Sequence, residues 1–264
     1  MKHASKKLRS WNCFIGSVCY SLVGLVLTTS LLADEPTVIK SKLESNLYSY
    51  SPNDHDPNGI GKFYLGREIA RVMGYQGAPW LERTSREQEE RLSLLPKALK
   101  LKPGMAIADI GAGSGVISVI MADHISPGGI VYAVDVQQEM LDLLNQKLKK
   151  AGVSNIHPVL GTQKSPGLKP ASIDLVIMVD VYHEFEFPYE MMQEISKALK
   201  PKGRVVLVEY RKEDPAVPIK LVHKMSEAQA KKEVARPDLN LKWKETIGIL
   251  PRQHILVFEK TAAK

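Results

Sequence analysis

The chain has 264 residues, 44% apolar and 25% charged, with a formal net charge of +7 and two cysteines. That length buries one good-sized core with room for an extension. The excess charge is not a nucleic-acid footprint: Lys2, Lys6, Lys7 and Arg9 supply four of the seven charges, and the other cations are interleaved with acids instead of clustered along a phosphate-tracking face.

In chain order, residues 2–9 are cationic, residues 13–33 carry no charge, and Asp34-Glu35-Pro36 breaks the run. A basic leader, an apolar stretch and a small residue at Ala33 read as a secretory signal. A stretch of this length could instead remain as a membrane anchor, and its positive N-terminal flank would keep that end cytoplasmic. Either way, the body is expected outside the cytoplasm, periplasmic, secreted or membrane-anchored. Cys13 and Cys19 both lie in this segment. The body therefore has no thiol for a disulfide, a nucleophile or a thiolate metal site, and no metal site is expected.

Residues 34–60 are polar and rich in turn formers, a linker. Residues 61–100 have a helical pattern, and Thr84 followed by Glu87 is similar to a capping box opening a helix over 85–95. The extension 34–95 offers Tyr64, Arg67, Trp80 and Arg83 as a lid.

From residue 96 to 264 the pattern changes. Apolar runs at 105–110, 130–135, 156–160, 173–180 and 204–210 alternate with amphipathic stretches at 115–124, 137–151, 188–200 and 225–235. Continuous β-branched runs separated by helices predict strands buried on both faces of a parallel sheet. At the C-terminus, residues 242–250 and 253–260 leave no room for a helix between them, so they predict an antiparallel hairpin. The fold class is α/β, a doubly wound and mainly parallel seven-stranded sheet.

Asp109-Ile110-Gly111-Ala112-Gly113-Ser114-Gly115 lies at the end of the first of these strands, directly before a helix. Glycines there let the backbone turn sharply and approach a ligand, with helix N-terminal amides facing it. Asp135 ends the second strand, where a carboxylate can accept from both hydroxyls of a ribose. Together they predict a nucleoside cofactor. A dinucleotide fingerprint needs a glycine where Val116 stands, which disfavours a nicotinamide dehydrogenase. S-adenosylmethionine has no pyrophosphate to cradle but does have an ammonium group that an acid can serve.

The segments DIGAGSG, VYAVDVQQEML, Gly161-Thr162, DLVIMVDVYHEF and LKPKGRVVLVEY occur in order at the expected strands. Over about residues 95–264 the chain resembles the class I S-adenosylmethionine-dependent methyltransferases, with their Rossmann-like fold. The resemblance implies S-adenosyl-L-methionine as cofactor, Asp109 at its methionine amino end, Gly111, Ala112, Gly113 and Gly115 around it, Asp135 on the ribose and Val136 beside the adenine. Where the family often places an acid for the adenine amino group, this chain has Thr162 and Gln163. The segment after the fourth strand lacks the Asn/Asp-Pro-Pro-aromatic motif of base-nitrogen methyltransferases.

Methyl transfer is an in-line displacement in which alignment carries much of the rate, and a hydroxyl or acidic carbon acceptor also needs a base. His183 is the candidate base because its ordinary pKa lies near neutrality. Tyr182 is a candidate pocket wall, and Asp180 a candidate to contact the cofactor or orient His183. The charged loop 209–224, with His223 and Lys224, lies on the same side of the sheet. The expected function is methyl transfer to a small-molecule acceptor. The alternatives are a non-catalytic S-adenosylmethionine-binding module and an enzyme acting on a protein or envelope polymer.

Overall fold

The computed structural model describes residues 47–261; the expectations for residues 1–33 lie outside them. Ten strands run as β1 (Tyr48–Tyr50), β2 (Gly59–Tyr64), β3 (Arg67–Ala70), β4 (Ala106–Ile110), β5 (Ile130–Asp135), β6 (Ile156–Leu160), β7 (Ile173–Val179), β8 (Leu199–Tyr210), β9 (Leu241–Ile247) and β10 (Gln253–Lys260). The helices are α1 (Ala78–Leu81), α2 (Arg86–Glu90), α3 (Leu95–Ala98), α4 (Val116–Ile125), α5 (Gln138–Ala151), α6 (Pro188–Ala198) and α7 (Glu227–Val234), with short 3₁₀ turns between them.

Seven strands form the main sheet in the order β6-β5-β4-β7-β8-β10-β9. The pairs from β6 to β8 are parallel, whereas β10 runs antiparallel to both β8 and β9. This is the expected α/β fold with its terminal hairpin. Successive residues of each strand feed two apolar clusters. Ala108, Val176, Met178 and Leu207 pack with Met191, Met192 and Ile195 of α6. Ile107, Leu175, Ile177 and Val206 pack with Met121 of α4 and Leu144 of α5. Covering both faces is why these strands read as unbroken apolar runs. The strand order reverses between β4 and β7, which opens a crevice at their carboxyl ends.

The N-terminal extension departs from the helical reading of 61–100. β1, β2 and β3 form a separate antiparallel sheet. Leu65 and Gly66 connect β2 to β3 with φ of +48° and +89°, the two left-handed residues of a tight hairpin turn. The expected helix 85–95 is interrupted at Arg91, whose φ of +54° ends α2. The capping box does not form. Glu87 instead accepts from the Ser93 backbone amide at 3.2 Å and from the Ser93 hydroxyl. Strand β8 begins five residues before the expected 204, because Leu199 already pairs with Ile173 ahead of a register shift. Among the described residues, no helix is long and apolar enough to cross a membrane.

Candidate active site

A cavity of about 650 Å³ lies at the carboxyl ends of β4, β5, β7 and β8 and is walled on its other side by residues of the 58–90 segment. Its floor begins at the glycine turn. Gly111, Gly113 and Gly115 have φ of +72°, +54° and +85°, a region that L side chains enter only at a cost. A Cβ at Gly111 would stand 2.4 Å from the Val181 side chain, and one at Gly113 2.6 Å from Leu81. Both glycines are on the cavity wall, whereas Ala112 and Gly115 are not. The reason for Gly115 is packing: a Cβ there would meet Leu144 of α5 at 2.3 Å.

Asp135 closes the turn from the end of β5. Its Oδ2 accepts from the Gly113 amide and its Oδ1 from the Gln137 amide, both at 2.9 Å. Burial raises its pKa above the usual carboxylate value despite those bonds. Val136, Thr162 and Gln163 continue the wall, with Val136 43% exposed.

Asp109 is placed differently from the expectation. It is buried, absent from the wall, and accepts from the Ser118 hydroxyl of α4 at 2.6 Å. Burial pushes its pKa up to about 6, and the Ser118 bond only partly offsets this. Its carboxylate is turned to α4, so besides Asp135 an acid facing the cavity comes from elsewhere.

That acid is supplied beyond β7. Asp180 has a φ of +52° and faces the cavity. Its Oδ2 accepts from Gln253 at 3.2 Å, and its buried Oδ1 has no hydrogen-bond partner. Burial, then the neighbouring Glu90 and Glu209 carboxylates, push its pKa well above the usual range. Glu90 is itself held by Arg83, by Arg86 at 2.9 Å and by the Tyr210 hydroxyl at 2.8 Å. The charged run Arg86–Glu90 has no local pattern that marks Glu90, among its three glutamates, as the buried one, and sequence reasoning missed it.

His183 is 2% exposed yet reaches the cavity. Its Nδ1 lies 2.6 Å from Glu209 Oε2, and its Nε2 lies 3.1 Å from His223 Nδ1. Burial acts to lower its pKa, but the Glu209 carboxylate outweighs this and holds it above the ordinary value. Burial, then the adjacent His183, lowers His223 to about 4. Glu184 borders both rings, and burial raises its pKa to about 7. Tyr182 is not on the wall. It is fully buried, with Phe185 edge-on to its ring and the Arg67 guanidinium near its face.

The extension is stitched onto the sheet by Gln137, which the sequence reading did not single out, and by Glu184. Gln137 accepts from the Tyr75 amide at 2.8 Å and donates to the Met73 carbonyl at 2.9 Å, while Glu184 Oε2 accepts from the Met73 amide at 3.3 Å. Of the four lid candidates, Trp80 and Arg83 reach the wall, the guanidinium 3.8 Å above the indole. Tyr64 lies in the core. Arg67 is buried in a two-pronged pair with Glu233 at 2.7 and 2.9 Å, and donates to the His183 carbonyl at 3.0 Å. It braces the site from behind.

Residues 101–252 match the methyltransferase domain family. The chain is 29% identical over 117 residues to a protein-L-isoaspartate O-methyltransferase of Pyrococcus horikoshii, covering 44% of this chain and 49% of that one. It is 28% identical over 116 residues to a demethylmenaquinone methyltransferase of Lactococcus lactis, covering 44% and 45%. The chain thus spans about half the length of the curated relatives it matches. Among solved structures, an S-adenosylmethionine-dependent methyltransferase from Aquifex aeolicus shares the fold at a TM-score of 0.67 and 20% identity, over 72% of this chain and 100% of that chain.

Proposed function

This chain belongs to the methyltransferase domain family, and from that premise we propose that it transfers a methyl group from S-adenosylmethionine to a small-molecule acceptor. The carrying observation is one cavity lined by two chemically distinct groups of residues. Gly111, Gly113, Asp135 and Val136 line it together with Asp180, and so do His183, Glu184 and His223; we assign the first group and Asp180 to the cofactor and the second to the acceptor.

The first group fits the cofactor. Side chains at Gly111 and Gly113 would collide with Val181 and Leu81, so the backbone itself forms the surface. Asp135 lies at the strand end with its carboxylate already oriented by two amides, poised to accept from ribose hydroxyls. The unpartnered Asp180 Oδ1 suits the methionine ammonium, whereas the Asp109 carboxylate accepts from Ser118. When bound, S-adenosylmethionine supplies an electrophilic methyl group on a sulfonium.

The second group receives the acceptor. Glu209 holds His183 from behind through Nδ1, so Nε2, which lies 3.1 Å from His223 Nδ1, is the atom that takes the acceptor's proton, directly or through His223. Arg67 fixes the backbone at the same residue through the His183 carbonyl. The 58–90 wall covers one side of the cavity, which supports a small-molecule acceptor. The basic, apolar N-terminus is the reason to place this activity outside the cytoplasm.

The test is calorimetry of the full chain with S-adenosylmethionine, S-adenosylhomocysteine and NAD, followed by turnover on fractionated small molecules. Binding of NAD in preference to the other two would overturn the cofactor assignment. His183→Gln is expected to keep cofactor affinity and lose on the order of 10²-fold in turnover. Methyl transfer to macromolecular fractions alone would overturn the acceptor class.

A further inference from the structure

We propose that His183, Glu184 and His223 bind a divalent transition-metal ion in the part of the cavity assigned to the acceptor. No thiol lies in the body, so such a site rests on imidazole and carboxylate donors. These come from two places: His183 and Glu184 in the turn after β7, and His223 in the loop that follows β8.

One donor atom from each of the three residues lies within 4.8 Å of the other two. His183 Nε2 and His223 Nδ1 are 3.1 Å apart, and their rings are nearly perpendicular at 87°. Two nitrogens each about 2.0–2.1 Å from one tetrahedral ion are separated by roughly 3.3 Å, so the pair already has the required spacing. Glu184 Oε1 lies 3.8 Å from the His223 nitrogen and 4.0 Å from that of His183. A small turn of the carboxylate brings it into the set. Its other oxygen is occupied by the Met73 amide, which leaves Oε1 directed at the histidines.

A second observation points the same way. Glu209 is fully buried, accepts from the Tyr182 amide at 3.0 Å and takes His183 Nδ1 at 2.6 Å. A carboxylate behind the remote ring nitrogen fixes which nitrogen faces the site and makes it a better donor, the arrangement that accompanies metal-bound histidine. Two imidazoles and one carboxylate favour zinc, iron, cobalt or nickel over magnesium or calcium, which prefer all-oxygen shells. The side-chain exposure of His223, 24% against 3% for His183, gives an ion its route in. Three protein ligands leave a position open for an oxygen of the acceptor, as catalytic zinc sites do. In the metal-loaded protein the Nε2 lone pair would be on the ion, which would lower the pKa of an acceptor hydroxyl so that its proton is lost to solvent before methyl transfer, in place of removal by His183.

Metal binding is read without any methyl transfer, so its failure is distinct from failure of the proposed function. The full chain is stripped with a chelator, dialysed, and titrated separately with Zn²⁺, Co²⁺ and Mg²⁺. The expected result is one Co²⁺ per chain with the intense visible absorption of a low-coordinate ion, displaced by Zn²⁺ and ignored by Mg²⁺. H223A and E184Q should each weaken Zn²⁺ binding by 100-fold or more with an unchanged circular dichroism spectrum. E209Q, a positioning variant, should weaken it by about 10–100-fold. Absence of stoichiometric Co²⁺ binding, or binding that H223A and E184Q leave intact, overturns the proposal.

Discussion

His183 Nδ1 and Glu209 Oε2 stand 2.6 Å apart, and neither side chain is more than 3% exposed. The contact joins the turn after β7 to the end of its parallel neighbour β8, so the sheet register itself sets the bond. Glu209→Gln keeps a similar shape but removes the charge. The expected cost is about 1.5–3 kcal/mol, the range for a hydrogen bond to a charged group. Chemical denaturation of the variant checks it. Glu184→Gln, whose carboxylate accepts from the Met73 amide at 3.3 Å at the wall, should cost less; the reverse order would show that Glu209 does not brace the site.

Asp135→Ala is expected to weaken S-adenosylmethionine binding by at least about 1.5 kcal/mol, the scale of one charge-assisted hydrogen bond. It also frees the Gly113 and Gln137 amides that its carboxylate now accepts from, so some loss of thermal stability should accompany it. Calorimetry on the folded fraction separates the two effects. Unchanged affinity would remove Asp135 from the ribose site.

Gly113→Ala and Gly115→Ala separate binding from packing within one motif. Both positions have left-handed φ, so each substitution carries about 1–2 kcal/mol of backbone strain. At Gly113 the new methyl group meets Leu81 on the cavity wall, whereas at Gly115 it meets Leu144 behind the turn. Gly115→Ala should lower the melting temperature with cofactor affinity per folded molecule unchanged. Gly113→Ala should lower affinity as well. Equal losses of affinity in both would contradict the division.

Asp109 predicts a pH dependence. Its folded pKa is raised to about 6 by burial, so folding favours the protonated form. The stability this contributes is fully present below the unfolded value near 3.9 and is lost as pH rises through 6. The loss at neutral pH is on the order of 3 kcal/mol. Asp109→Asn cannot ionise and can still accept from Ser118. Urea denaturation at pH 4 and pH 7 should therefore show the wild type losing more stability than the variant over that interval. Parallel losses would mean that Asp109 is not buried as a strained carboxylate.

By itself, the sequence determined the main sheet. Period and composition are local properties, and a strand buried on both faces must be apolar along its length, so 130–135, 156–160 and 253–260 were legible to the residue. The glycine turn and the acid at Asp135 were legible for the same reason, because their chemistry lies within a few residues of a strand end. The β2–β3 hairpin was signalled only by Leu65-Gly66, a weak turn pair inside a stretch whose charges suit a surface helix equally well. What the tertiary structure decided is which polar groups meet. Asp109 turns towards Ser118, nine residues on, because the helix after the turn folds back over β4. His183, Glu209 and His223 converge because β7 and β8 are adjacent and parallel, and the loop leaving β8 returns across the crevice. Hydrophobic periodicity states which face of an element is buried; it carries no information about which buried partner a polar side chain will find, and that pairing is set by strand order and by where the loops come back.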